Sequence, residues 1–274
     1  MNKIGRFIVF SALCCVVSVS AFAQQSIPGK VFVAELAGTV TFIVDGKVVE
    51  LKKGLALPAP GARIETAAGA HVVLVYSNGT SIYIDEKTIV EIREFVQRPF
   101  PAGIDMSEIE PSVSSTVGYI RQGRIIITTN QLVTGTSMVY LTPECQVKVR
   151  GKDVVIEVLE HQTRVGVIRG DVTVTPSDAP AGAAGLVLHD GQMVIISEPA
   201  GGAGARTVRL EALDANLINA LAALIAANER AQRIVVFESV PGGAGGPQIQ
   251  AKEVVPADLP VQLTVSPSSL RTGS

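Results

Sequence analysis

The sequence predicts an all-β protein: a two-part β-sandwich or β-roll of many short strands, followed by one C-terminal amphipathic helix and a loosely ordered tail. Three observations lead there. From Lys30 to about Ser197, short runs rich in Val, Ile, Leu, Thr and Tyr alternate with turn residues, and no helix-period segment interrupts them. A glycine recurs between two such runs at Gly38, Gly123 and Gly170. A leucine stripe at spacings of three or four begins only where the β texture ends: Leu210, Leu213, Leu217, Leu221 and Leu224.

At the N-terminus, Lys3 and Arg6 precede an apolar run from Phe7 to Val19, and Ala21-Phe22-Ala23 follows as an A-x-A processing site. Residues 1–23 are therefore expected to be a signal peptide cleaved after Ala23, which places the mature chain in the periplasm or outside the cell. A retained anchor would need about 20 apolar residues. Cys14 and Cys15 lack the small residues that precede a lipidated cysteine. Removing Lys3 and Arg6 takes the formal net charge from −2 to −4. A mildly acidic chain without Trp gives no electrostatic or stacking case for nucleic acid. No later segment reaches membrane-spanning length. Cys145 is the one cysteine left, so no internal disulfide framework is available, and a small hydrophobe within a strand is its expected role.

The first half of the β region reads as Val31–Glu35, Thr39–Val44, an Asp45-Gly46 hairpin turn and Lys47–Leu51, followed by the block Gly61–Ile92. Within that block, Asn78-Gly79 separates His71–Tyr76 from Ser81–Ile84 and predicts a type I′ turn. Gln97–Ser115 carries Pro99, Pro101 and Pro111 and reads as an excursion between the halves. The second half resumes with Val117–Ile120, Arg124–Thr128, Met138–Leu141, Gln146–Val149, Val154–Val158, Thr163–Ile168, Val172–Thr175, Leu186–Leu188 and Met193–Ser197. The repeated glycines suit bends where strands change layer.

These runs make residues 30–198 one β domain, 199–233 a linker with an amphipathic helix from about Leu210 to Arg230, and 234–274 an edge strand at Ile234–Val240 with a flexible tail. Asn216, Asn219, Asn228 and Glu229 lie off the leucine stripe. Two uses of that stripe stand side by side: packing on the chain's own β domain, or a seam for a partner, in which Leu213, Leu217, Leu221 and Leu224 would form the contact. Val261–Val265 has the composition to pair with a sheet edge.

Chemistry is sparse. His71, His161 and His189 lie far apart, with no second ligand at metal-site spacing. No G-x-S-x-G elbow supports a nucleophile. The clusters Gly201–Gly204 and Gly242–Gly246 lack the context of a phosphate loop. Asp105, Glu108 and Glu110 lack calcium-loop spacing and read as a solvated loop. Asn78-Gly79-Thr80 matches a glycosylation acceptor but already serves a turn. No catalytic residue, metal site or cofactor is expected. Lys148, Arg150 and Lys152 alternate along one β-run, as edge-protecting charges or as a face for an anionic polymer.

The chain resembles the FecR protein domain of bacteria over about Ala34 to Ile196. The residues that carry this are Gly38-Thr39-Val40, Leu57, Gly61 to Thr66, Ala70 to Tyr76, Asn78 to Ser81 and Ile82–Ile92. In the second half they are Val117–Gly123, Thr142-Pro143, Val147 to Gly151, Thr163–Val174 and Asp190-Gly191-Gln192. The resemblance implies a periplasmic β domain of the kind found in membrane-bound sigma-factor regulators. Only Met1–Arg6 precede the apolar run, too few for a sigma-binding domain, so a stand-alone exported type is expected. The preferred reading is a non-enzymatic binding or scaffold module with an envelope protein as partner. The alternatives are a periplasmic signal-sensing accessory of a sigma-factor system, or a cell-wall or polysaccharide-binding module.

Overall fold

A computed structural model describes residues 26–254, except 107, 200, 202–203 and 244–245. The predicted export signal and the Val261–Val265 run lie outside the described residues. The first half contains β1 (Ile27–Pro28), β2 (Lys30–Ala37), β3 (Val40–Val44), β4 (Lys47–Val49), β5 (Ala56–Pro58), β6 (Ala62–Thr66), β7 (His71–Tyr76), β8 (Ser81–Ile84) and β9 (Ile89–Gln97). The second half contains β10 (Ser114–Thr128), β11 (Ser137–Leu141), β12 (Cys145–Val149), β13 (Asp153–Leu159), β14 (Gln162–Arg169), β15 (Val172–Pro176), β16 (Leu186–Leu188), β17 (Gln192–Ser197) and β18 (Thr207–Ala212). A helix α1 (Ala215–Arg233) and the hairpin β19 (Val235–Val240) and β20 (Gln248–Glu253) complete the chain. The all-β expectation with one C-terminal helix holds.

The strands form two sheets that share β10. The front sheet runs β4-β3-β6-β9-β10-β11-β12-β15-β16, with β1 beside β6 on the edge of β9. The back sheet runs β5-β2-β7-β8-β10-β13-β14-β17-β18. Among the described strand pairs only β10–β11 is parallel. The N-terminal part of β10 pairs with β9, and from Gly123 onward the same strand pairs with β13.

The three repeated glycines sit where the chain passes between sheets. Gly38 joins β2 to β3, Gly123 bends β10, and Gly170 joins β14 to β15, with φ of 71, 89 and 96°. Each faces a second corner where another strand pair changes sheet. A Cβ on Gly38 would lie 2.8 Å from Ala70 Cα, one on Gly123 2.5 Å from Thr88 Cα, and one on Gly170 2.3 Å from Gly151 Cα. Glycine is needed twice over at these positions, for a left-handed backbone and for close approach.

Asp45-Gly46 forms the type I′ turn, with φ of 50 and 71°. Asn78-Gly79 does not, because only Gly79 is left-handed, at φ 86°. Gly79 N–H donates to Tyr76 O at 2.9 Å and Tyr76 N–H to Thr80 O at 2.7 Å. This is a three-residue loop closed by a glycine bulge. Asn78 is buried, with Nδ2 donating to Ser114 Oγ at 3.1 Å and Oδ1 accepting from Thr80 N–H at 3.1 Å. Burial removes it as a glycosylation acceptor.

One apolar core lies between the sheets and includes Val31, Phe42, Ile64, Leu74, Ile125, Val147 and Val194. Cys145 is buried there, as expected, and burial pushes its thiol pKa up to about 11. A second core lies on the outer face of the back sheet. Phe32, Val73, Val75, Ile126 and Val155 are covered by Leu221, Ile225 and Ala231 of α1, by Phe237 and Ile249 of the hairpin, and by Phe100 and Met106. Phe100 and Met106 fasten the 98–113 excursion to the domain.

The helix begins later than the leucine spacing indicated. Asp214 is its N-cap, its side chain accepting from Asn216 N–H at 2.6 Å, and Arg230 and Arg233 suit the negative end of the helix dipole. Leu210 belongs to β18, opposite Val194, so pairing along β17 claims a segment read as linker and helix start. Asn228, off the leucine stripe, is fully buried. Gln248–Glu253, within the stretch read as tail, is strand β20. Among the described residues no helix is long and apolar enough to cross a membrane.

Candidate binding surfaces

The basic residues do not share one edge run. β12 ends at Val149 and is flanked by β11 and β15, so it is an interior strand of the front sheet. Lys148 is half-buried on the outer side, because Cys145, Val147 and Val149 fill the core. The chain then turns at Gly151, and Arg150 and Lys152 stand exposed on the corner. They line a shallow groove of about 450 Å³ with Glu108, Asn130 and Gly170. A neighbouring groove of about 630 Å³ shares Glu108, Asn130 and Lys152 and continues along α1 past Glu229 and Gln232. Arg169 bonds to buried Asp153 and meets Glu229, which lines the second groove, at 2.6 Å. The charge here is mixed, not a basic strip.

The predicted leucine contact is largely internal. Leu213 and Leu221 are buried, and Leu217 and Leu224 pack against the second core. Leu213 precedes the helix and lies over Gly166, where a Cβ would come within 3.0 Å of it. The helix therefore covers its own β domain.

Glu110 is not solvated. It is buried, its Oε1 accepting from Ser114 Oγ and from Asn78 Nδ2 at 3.3 Å, and its Oε2 from Thr136 Oγ1 at 2.6 Å and Val133 N–H at 3.2 Å. Burial raises its carboxyl pKa against the opposing pull of those donors. It ties the excursion to the β7–β8 turn and the β10–β11 connection. The histidines remain apart, each beside a carboxylate: His71 with Glu35 at 3.0 Å, His161 with Glu198 at 2.5 Å and His189 with Asp171 at 2.6 Å. The Glu198 bond raises the His161 pKa. Among the described residues no group of three His, Cys, Asp or Glu is placed to hold a metal ion.

Several exposed apolar residues lie on β16 and β18, the strands that form sheet edges among the described residues. Val208 and Leu210 are 46% and 52% exposed, and Leu186 and Val187 on β16 are also uncovered. Val208 and Leu210 stand opposite Ile196 and Val194, which are buried in the inter-sheet core, so they carry the inner apolar face out to solvent. Among the described residues β18 pairs with β17 alone. Leu213 N–H donates to Gly191 O at 2.7 Å, which sets the alternation of the ladder. Residues 207, 209 and 211 turn their backbone groups toward β17, and Val208, Leu210 and Ala212 turn theirs outward. The period-two alternation of Val208, Arg209, Leu210 and Glu211 is the sequence signal for this strand, masked by the leucine spacing that overlaps it.

No protein-family model matches the chain, and no curated protein matches it. Two crystal structures of a candidate anti-sigma factor from Parabacteroides distasonis resemble part of it. Each is 16% identical, with a TM-score of 0.40 over 58% of this chain and 63% of theirs. The chain thus spans less than two thirds of the length of the structures it matches.

Proposed function

We propose that this chain is an exported, non-enzymatic binding module of the FecR-domain type that engages an envelope protein by strand addition. The observation that carries the reading is the edge of β18, unpaired among the described residues, with outward-turned backbone at Val208, Leu210 and Ala212 and exposed apolar side chains beside it. An added strand would gain main-chain hydrogen bonds, while side-chain pockets would supply specificity. Burial of the leucine stripe against the back sheet turns the choice from helix docking to edge pairing. The leader-like N-terminus and the glycine pattern quoted above support the envelope setting and the family reading.

Photo-crosslinking in intact cells tests it. A crosslinker at Leu210 should trap protein, and one at Leu159, also exposed at the end of β13, should not. Leu210→Pro in a chain crosslinking from Val208 should abolish the product. Equal labelling from both positions would count against an edge-based interaction. N-terminal sequencing of the chain from the envelope fraction should begin at Gln24; an intact leader there would mean a retained anchor, and recovery from the cytoplasm alone would remove the export claim.

A further inference from the structure

The β18 edge is self-complementary, and we infer that its occupant is the β18 edge of a second copy of this chain. This deepens the strand-addition reading and rests on it. Outward-turned residues can pair only with outward-turned residues in an antiparallel ladder. The ladder leaves few two-fold registers across Thr207–Ala212. One centred on Arg209 sets that arginine against its own copy, and one centred on Glu211 sets glutamate against glutamate. Like charges directly opposite are unfavourable.

The register centred on Leu210 has neither fault. Leu210 meets Leu210 of the second copy, and Val208 meets Ala212, with their outward N–H and C=O groups exchanging bonds. Arg209 then faces Glu211 of the second copy, twice by symmetry. Within one chain Arg209 Nε already lies 2.7 Å from Glu211 Oε1, on the face of the strand away from the inter-sheet core. The apolar and charged faces of β18 therefore both find their like-shaped complement in this one register. The contact is isologous, the geometry of a closed two-fold dimer. It joins two back sheets into one continuous sheet and removes an open edge that would otherwise invite indiscriminate pairing.

Sedimentation equilibrium of the full chain, purified from the envelope fraction as the cell processes it, tests this over the micromolar range. A monomer–dimer equilibrium is expected. Arg209→Glu and Glu211→Arg should each weaken it about tenfold, since each places like charges at both symmetric positions. Mixing the R209E and E211R chains should restore association as a heterodimer, an outcome that the Arg209–Glu211 pair within one chain cannot give, because neither variant regains it. Thermal unfolding of each variant separates lost pairing from lost fold. A monomer at every concentration overturns the proposal, as does a dimer indifferent to the charge variants. If a monomer still gives Leu210-dependent crosslinks in cells, strand addition survives with a different occupant. If those crosslinks are absent too, both readings fall.

Discussion

Asn228, in the second turn of α1 from its C-terminal end, donates from Nδ2 to the Ile126 carbonyl oxygen at 2.9 Å, although 102 residues separate the two. The same nitrogen reaches Thr128 Oγ1 at 3.2 Å. An amide buried in an apolar layer fixes where the helix sits along β10, which apolar contacts alone would leave free to slide. Asn228→Leu should cost about 1–2 kcal/mol, the net worth of such bonds with one acceptor left partly unsatisfied. Urea denaturation checks this, and wild-type stability would show that the bond does not anchor the helix.

Leu221 and Leu210 belong to the same leucine spacing but to different environments. Leu221→Ala opens a cavity between helix and back sheet and should cost about 2–5 kcal/mol. Leu210→Ala removes atoms already half in solvent and should stay within about 0.5 kcal/mol under conditions where the chain is monomeric. Chemical denaturation of both variants gives the comparison, and similar losses at the two sites would contradict the assignment of the helix face.

Gly170 and Gly61 both have a left-handed backbone, but only Gly170 is also crowded by another chain segment. Gly61→Ala meets open space and should cost about 1 kcal/mol, the backbone penalty alone. Gly170→Ala drives a methyl group into the Gly151 backbone and should cost at least about 3 kcal/mol or prevent folding. Thermal unfolding distinguishes them. Equal losses would mean that the paired corners have room to move apart.

Glu110 should make stability fall with rising pH. Its folded pKa is raised by burial above the ordinary glutamate value of 4.5, so the folded chain holds the proton more tightly than the unfolded chain. That contribution is complete below 4.5 and is lost as the pH climbs through the folded value. Measured against Glu110→Gln, which cannot titrate, wild-type stability should therefore decline from pH 4.5 upward. A difference that is flat, or that grows with pH, would show that the four donors outweigh burial.

What could be read from the residues was the local chemistry. Gly38, Gly123 and Gly170 announced bends because a glycine between β-branched runs has little other reason to be there, and Asp45-Gly46 announced its turn. What escaped depended on distant partners. Leu210 satisfies a helical period and a strand period at once, and only the presence of β17 decides between them. Glu110, followed by Pro111 in a stretch rich in acids, looks solvent-exposed until Asn78, Ser114, Val133 and Thr136 converge on it. Lys148, Arg150 and Lys152 alternate as a strand would, but the Gly151 corner interrupts them. Val117–Ile120 and Arg124–Thr128 appeared as two strands, although Gly123 bends one strand without ending it.

That last arrangement has a mechanical consequence. In a sandwich held only by side-chain packing, the layers can shear or part while each sheet stays whole. Here a single covalent backbone is woven through both fabrics, so a load applied to the rim of one is borne by the middle of the other.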